Sequence, residues 1–284
     1  MVSNCILHNG PTADNAEYER CSVAEFTMCP IGKNILRIKP LGFSLKIFTF
    51  NAQHCFTGVR HEGKAEGKIE FIGGIECYVA TPADEYPKDK VVLFLTDVFG
   101  IPLINNRLLV DDFARCGYRT IMPDLFDGDA VPDVNLELLT AEFPAWLGKH
   151  GPDSLNTIVD KVVAALKDSG VTWIGTTSYC FGAPPALYLA FKNESHATAI
   201  AHPSRLQFPA DLERYRDHFP GMLRPLPMRS SEEANSPPGY ERKHWDGCTH
   251  GFAVRGDLSD PNVKAGKEGA FKTTVEFFNK YSKL

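Results

Sequence analysis

The sequence predicts an α/β fold, with a mostly parallel central sheet and helices on both faces. Two observations support this fold class. Short apolar runs such as VVLFLT (Val91–Thr96) and VTWIGTT (171–177) are continuous rather than alternating, which suits strands buried on both faces. Segments with helical spacing separate these runs, and such alternation favours right-handed crossovers between parallel strands.

The individual elements follow in order from about residue 68. The segment KIEFIGGIECYVATP alternates apolar and polar residues around Gly73 and Gly74, which predicts a hairpin of two strands. The later strands are predicted in VVLFLT, RTIMPDLF, VTWIGTT, ATAIAHP and YERKHW. The helices are predicted in INNRLLVDDFARCGY, DSLNTIVDKVVAALKDSG, APPALYLAFK and VKAGKEGAFKTTVEFFNKY.

The bulk properties indicate an ordinary globular protein. The chain has 284 residues, is 43% hydrophobic and carries a formal net charge of −5, which argues against nucleic acid or an anionic membrane as the main partner. No apolar run reaches membrane-spanning length, and the first residues lack the pattern of a secretory signal. Residues 1–54 lack clear strand or helix patterning, so we predict a poorly ordered extension there.

The cysteine and histidine patterns predict neither disulfides nor a metal site. The eight cysteines include no C-x-x-C pair, which is typical of reduced thiols in a cytoplasmic protein. The nine histidines do not cluster with cysteines at zinc-ligand spacing. The sequence therefore predicts a cytoplasmic protein without bound metal.

Cys180 lies between a predicted buried strand and a predicted helix, in GTTSYCFGAPPALYLA. A nucleophile elbow needs this context, because a sharp strand-to-helix turn holds the side chain up at the edge of the sheet. The helix N-terminus favours a thiolate, and the amide of Phe181 would point at an oxyanion. The alternative is a small buried core cysteine, and the local pattern alone does not decide between the two.

Two further positions could complete such a site. Asp97 follows the strand Val91–Leu95 in TDVFG, where it suits either a site-lining acid or a turn cap, and the amide of Val98 could donate to an oxyanion. His250 follows the predicted strand YERKHW and precedes the last helix, which is where α/β hydrolases carry their base.

Five segments in this order resemble the fungal-type branch of the dienelactone hydrolase (carboxymethylenebutenolidase-like) family: CFTGVRHEGKAEGKIEFIGGIECYVATP, VLFLTDVFGIPLINNRLLVDDFARCGYRTIMPDLFDGDAVP, SYCFGA, AIAHPS and HGFAVRGDLSDP. The resemblance runs from about Cys55 to the end. It implies an α/β-hydrolase domain over residues 55–284, acting on small lactones or activated esters through a Cys-His-Asp triad. It implies no metal or organic cofactor.

The resemblance also assigns roles to residues. The nucleophile maps to Cys180, the base to His250, and an acid that holds the resting thiol to Asp97. The oxyanion amides map to Phe181 and Val98.

The family holds a substrate carboxylate with arginines, and Arg255 is a candidate for this role. The implied partner is a small-molecule lactone or ester, with no nucleic acid and no membrane, and the protein is expected to be a monomer or a small homo-oligomer.

The sequence departs from the family pattern where the triad acid is expected. Residues 203–239 contain seven prolines and no apolar run fit for a buried strand, so one strand of the sheet is predicted to be missing there. A non-catalytic relative without a working triad acid is therefore an alternative to the hydrolase. A doubly wound nucleotide-binding domain is disfavoured, because no G-x-G-x-x-G follows a strand.

Overall fold

The computed structural model of the chain describes residues 3–8, 58–132, 136–206 and 241–283. Within these ranges lie eight strands and six helices. The strands are β1 Ser3–His8, β2 Lys68–Ile72, β3 Ile75–Ala80, β4 Lys90–Leu95, β5 Arg119–Pro123, β6 Trp173–Tyr179, β7 Ala197–Ala201 and β8 Glu241–His244. The helices are α1 Ile104–Arg115, α2 Leu136–Lys149, α3 Pro152–Asp168, α4 Ala183–Phe191, α5 Phe252–Arg255 and α6 Pro261–Ser282.

The strands form one mixed sheet in the order β2-β3-β5-β4-β6-β7-β1-β8. The centre is parallel, because β4 pairs in parallel with both β5 and β6, and β6 pairs in parallel with β7. The hairpin β2–β3 adds an antiparallel edge, and its turn residues Gly73 and Gly74 both have positive φ, which glycine adopts without strain. The predicted α/β-hydrolase fold is confirmed, with helices on both faces of the sheet.

The place between β7 and β8 is taken by β1. This strand pairs antiparallel with both neighbours, so the backbone groups on the facing edges of β7 and β8 find partners. Ser3–His8 thus belongs to the sheet, whereas residues 9–54 of the predicted extension lie outside the described residues. The segment predicted to lack a strand also lies outside them from residue 207 onward.

Aromatic side chains dominate the core on one face of the sheet. Phe94 on β4 packs edge-to-face against Phe113 on α1, with ring centroids 6.5 Å apart. Phe113 in turn contacts Phe271 and Phe278 on α6. Because Phe94, Phe113 and Phe278 are fully buried, these contacts fix α1 and α6 against the parallel strands.

The parallel centre brings several strand ends to one edge of the sheet. Leu95 at the end of β4 pairs with Ser178 near the end of β6, and Tyr179 pairs with Ala201 at the end of β7. The loops that follow these strands therefore start side by side, which is where open α/β sheets place their binding sites. No helix in the described ranges combines the length and apolar character that a membrane crossing requires.

The turn after β6 packs closely on β4, and this packing can be tested. A β-carbon added at Gly182 would lie 2.4 Å from the carbonyl oxygen of Leu95, so backbone would have to move. Gly182→Ala is expected to lower the free energy of unfolding by about 1–3 kcal/mol, measured by urea denaturation. Gly148→Ala on α2 is the control, because a β-carbon there meets nothing within 4 Å. Equal stability of the two variants would contradict close packing at this turn.

Candidate active site

Cys180 lies at the turn between β6 and α4, as the sequence predicts. Its φ is +50°, a conformation that non-glycine residues seldom adopt, and its side chain is fully buried. Residues Cys180–Gly182 form one turn of 3₁₀ helix that leads directly into α4. This strained strand-to-helix turn has the backbone shape of a nucleophile elbow.

The Cys180 sulfur and the His250 imidazole are in direct contact. His250 Nε2 lies 3.0 Å from Cys180 Sγ, although 70 residues separate the two in the chain. Both side chains are buried, at 0% and 4% exposed. Gly251, with φ of +90°, directly follows His250 and begins the short helix α5. A thiol and an imidazole at this distance can exchange a proton.

A second group contacts the same sulfur. Ser204, in the loop after β7, places its hydroxyl oxygen 3.6 Å from Cys180 Sγ. Its backbone amide donates to the Cys180 carbonyl at 3.0 Å, so the loop and the elbow are also joined through backbone. Ser204 is the last residue of AIAHPS, one of the segments that carry the family resemblance, but the sequence pattern predicts no role for it.

His202 packs against His250 in the same buried region. The two ring centroids are 5.0 Å apart in an edge-to-face arrangement, and His202 has a φ of +38°. Burial holds the pKa of the His202 imidazole well below its usual range, and the nearby His250 and Arg255 lower it further. His202 is therefore neutral near pH 7.

The inner nitrogen of His250 has no hydrogen-bond partner among the residues that the structure describes. The same holds for both ring nitrogens of His202. A carboxylate behind the histidine would normally fix its tautomer and stabilise the imidazolium. The described ranges supply no such carboxylate. The segment in which the sequence predicts a missing acid-bearing strand lies outside them from residue 207 onward, so that prediction stays a prediction.

Asp97 and Arg255 form a buried ion pair beside this cluster. Asp97 Oδ2 accepts from Arg255 Nε at 3.1 Å, and both side chains are almost completely buried. Asp97 Oδ1 accepts from the Asn106 side chain at 3.0 Å and from the Phe99 amide at 3.2 Å. The Arg255 guanidinium also lies 4.7 Å from the centre of the Phe99 ring. The roles predicted for Asp97 with the thiol and for Arg255 with substrate stay predictions.

The two candidate oxyanion amides belong to loops that start side by side. Val98 follows β4 and Phe181 follows Cys180 at the end of β6, and these strands are paired up to Leu95 and Ser178. Both residues are buried, each with 1% of its surface exposed. Their amides thus lie at the same edge of the sheet as the Cys180 sulfur.

An aromatic group that the sequence analysis did not predict packs over the elbow. The Phe181 ring contacts Trp146 on α2 at 5.3 Å and Phe126 at 5.6 Å between centroids. The Arg205 guanidinium lies 4.9 Å from the centre of the same ring and donates to the His150 carbonyl at 3.2 Å. These side chains shield one side of the turn from water.

Comparisons with known proteins agree on one family. The family model described as "Dienelactone hydrolase family" matches residues 75–217. "Hydrolase pyvD" of Aspergillus violaceofuscus is 30% identical over 249 residues, covering 82% of this chain and 97% of that protein. "Dienlactone hydrolase 1" of Gibberella moniliformis is 28% identical, covering 79% and 92%. The "Carboxymethylenebutenolidase homolog" of Mus musculus is 27% identical, covering 80% and 96%.

The Asp97–Arg255 pair is expected to matter for stability. Arg255→Met keeps an unbranched side chain but leaves the Asp97 charge buried without this partner, so we expect a loss of about 3–5 kcal/mol in the free energy of unfolding. The control is Lys264→Met, which removes the exposed pair of Lys264 with Glu268 and is expected to cost less than about 0.5 kcal/mol. Urea denaturation of both variants tests this, and similar losses would contradict it.

His202 is expected to make the free energy of unfolding depend on pH. Because its folded-state pKa is depressed, the unfolded chain binds a proton below about pH 6.5 that the folded chain does not, so stability falls as the pH drops. His202→Phe should remove this contribution, which amounts to at most about 1.4 kcal/mol per pH unit. Urea denaturation between about pH 5 and about pH 8 measures the difference. A variant whose stability falls as steeply as the parent's would show that His202 is not buried in its neutral form.

Proposed function

The chain belongs to the dienelactone hydrolase family, which supports a hydrolase of the lactone or ester type, and we propose that Cys180 is its nucleophile and His250 its base. The observation that carries the proposal is the 3.0 Å contact between His250 Nε2 and Cys180 Sγ at the carboxyl edge of the parallel strands. The strained backbone at Cys180 supports it, because such strain is concentrated at functional sites.

In the first half of the reaction the enzyme is acylated. His250 Nε2 accepts the thiol proton, and the sulfur keeps the electron pair and attacks the carbonyl carbon of the lactone or ester. The amides of Phe181 and Val98 donate to the oxyanion that develops. The tetrahedral intermediate collapses, the carbon–oxygen bond breaks, and His250 returns the proton to the leaving oxygen.

In the second half water releases the acid. His250 takes a proton from a water molecule that attacks the thioester carbonyl, and the same two amides stabilise the second oxyanion. The carbon–sulfur bond then breaks, the sulfur leaves with the electron pair, and His250 returns the proton to it, which regenerates the thiol. A lactone gives a single hydroxy acid, whereas an ester gives an acid and an alcohol.

The Arg255 guanidinium lies beside this chemistry and is paired with Asp97. The Nε atom of Arg255 is engaged by Asp97, and a β-carbon at Gly251 would lie 2.9 Å from its Nη2, so the guanidinium extends along the backbone next to His250. We propose that it attracts a substrate carboxylate from this position. The substrate is then a small anionic lactone or ester, and cytoplasmic localisation stays part of the proposal.

A non-catalytic α/β-hydrolase-like protein is the second candidate. One observation favours it: within the described ranges His250 Nδ1 has no partner that would orient the imidazole. Loss of the orienting acid costs about 10⁴-fold in a triad, which would leave weak turnover at best. The two candidates differ in whether an activated ester is hydrolysed at all above the uncatalysed rate.

The proposal predicts the effect of removing the thiol. Cys180→Ala is expected to lower the rate of p-nitrophenyl acetate hydrolysis by about 10³-fold or more, because no other group replaces the nucleophile. Cys116→Ala is the control, since Cys116 is an exposed thiol on the surface. Full activity of the Cys180→Ala variant would contradict the proposal, and a parent protein without turnover would favour the non-catalytic candidate.

A further inference from the structure

We propose that Ser204 is a further catalytic residue, whose hydroxyl hydrogen-bonds to the Cys180 sulfur and stabilises it as a thiolate. The inference rests on the proposed function, because it concerns the sulfur that is taken to react. Nothing in the family resemblance assigns a role to this serine. Its contact with the reacting atom is present in the structure, at 3.6 Å between Ser204 Oγ and Cys180 Sγ.

The backbone of Ser204 is held next to the elbow. Ser204 is 3% exposed, and its amide donates to the Cys180 carbonyl at 3.0 Å. The preceding strand β7 is paired with β6 up to Tyr179, directly before the elbow. The backbone of the serine therefore cannot move away from the elbow without breaking these contacts, which keeps its short side chain within reach of the sulfur.

His250 and Ser204 contact the sulfur from different loops, and this decides what the serine can do. A thiol has one proton, which it can donate either to His250 Nε2 at 3.0 Å or to Ser204 Oγ at 3.6 Å. When the S–H bond breaks and an N–H bond forms on Nε2, the electron pair stays on sulfur, which can then only accept. The Ser204 hydroxyl rotates and donates to it, as the imidazolium does.

This reversal makes the contact stronger in the charged state than in the neutral one. A hydrogen bond to an ionised acceptor is roughly twice as strong as one between neutral groups. The buried sulfur has little water to stabilise its charge, so a fixed donor has a large effect there. The same donor assists when the thiolate leaves the thioester in the second half of the reaction. The hydroxyl thus lowers the energy of the states in which the sulfur is negatively charged, and it accelerates the steps that pass through them.

Charged and titratable groups pack near the Cys180–His250 pair. His250 contacts the sulfur from the loop before α5, and His202, which packs against His250 directly after β7, is held neutral. Asp97 at the end of β4 and Arg255 on α5 form an ion pair that is neutral overall. His250 and Ser204 are both seen to hydrogen-bond to Cys180 Sγ in the described ranges.

The test is the pH dependence of alkylation of Cys180 in the full chain by iodoacetamide, with the modified site identified by mass spectrometry. Ser204→Ala is expected to move the midpoint of the profile to higher pH by about one unit and to slow alkylation near neutral pH about tenfold. Hydrolysis of p-nitrophenyl acetate should slow by a similar factor. Ser204→Thr keeps a hydroxyl and should return the midpoint toward that of the parent.

The control is Ser178→Ala, which removes another buried hydroxyl from the same region. Ser178 Oγ has no hydrogen-bond partner in the described part of the chain, so its removal should leave the alkylation midpoint unchanged. Ser204→Gly provides a second measurement if the alanine variant does not fold. An unchanged midpoint in a folded variant without the Ser204 hydroxyl would overturn the inference.

The proposed function and the proposed role of Ser204 can be refuted separately. If Cys180→Ala retains full esterase activity, the proposed function is wrong, but the alkylation midpoint still tests whether Ser204 stabilises the thiolate. If Cys180→Ala is inactive and Ser204→Ala alkylates as the parent does, the proposed function stands and the role of Ser204 is refuted.

Discussion

The contact between Cys180 Sγ and His250 Nε2 depends on a constrained turn. The turn requires Cys180 at positive φ, and it requires Gly182, because any side chain there would meet the Leu95 backbone. The parallel pairing of β4, β6 and β7 then sets the loops of the site side by side. The core contacts of α1 and α6 support these strands from one face. The site therefore depends on strand register and on one close backbone approach, in addition to the local sequence of the turn.

The buried ionisable groups near the Cys180–His250 pair carry no net charge. Asp97 and Arg255 neutralise each other, while desolvation holds the neighbouring His202 neutral. This arrangement leaves the Cys180–His250 pair as the place where a proton can move without creating another unpaired buried charge. The inner nitrogen of His250 is the exception, because a full triad would place a carboxylate there and the described part of the chain provides none. The hydroxyl of Ser204 acts at the opposite end of the pair, on the sulfur.

The sequence predicted those features that depend on local pattern. The β2–β3 hairpin followed from Gly73 and Gly74. The local pattern at Cys180 suited an elbow or a core cysteine, and its combination with Asp97 and His250 favoured the elbow. Helix α2 was not predicted, since its sequence contains Pro144, which argues against a helix interior. The Asp97–Arg255 pair spans 158 residues, and no local pattern indicates which acid meets which base at that separation. The role of β1 beside β7 was missed for the same reason, because a pairing such as that of Asn4 with Ala201 joins residues far apart in the chain and leaves no local signal.

The central claim is that the Cys180 sulfur becomes acylated, and the most direct measurement looks for the acyl group itself. The full chain is mixed with p-nitrophenyl acetate, quenched in acid after a few turnovers, digested and analysed by mass spectrometry. The account predicts an acetyl thioester on the peptide that contains Cys180, formed at the same rate as the first release of p-nitrophenol. Turnover without an adduct on Cys180, or with the acetyl group on another residue, would contradict it.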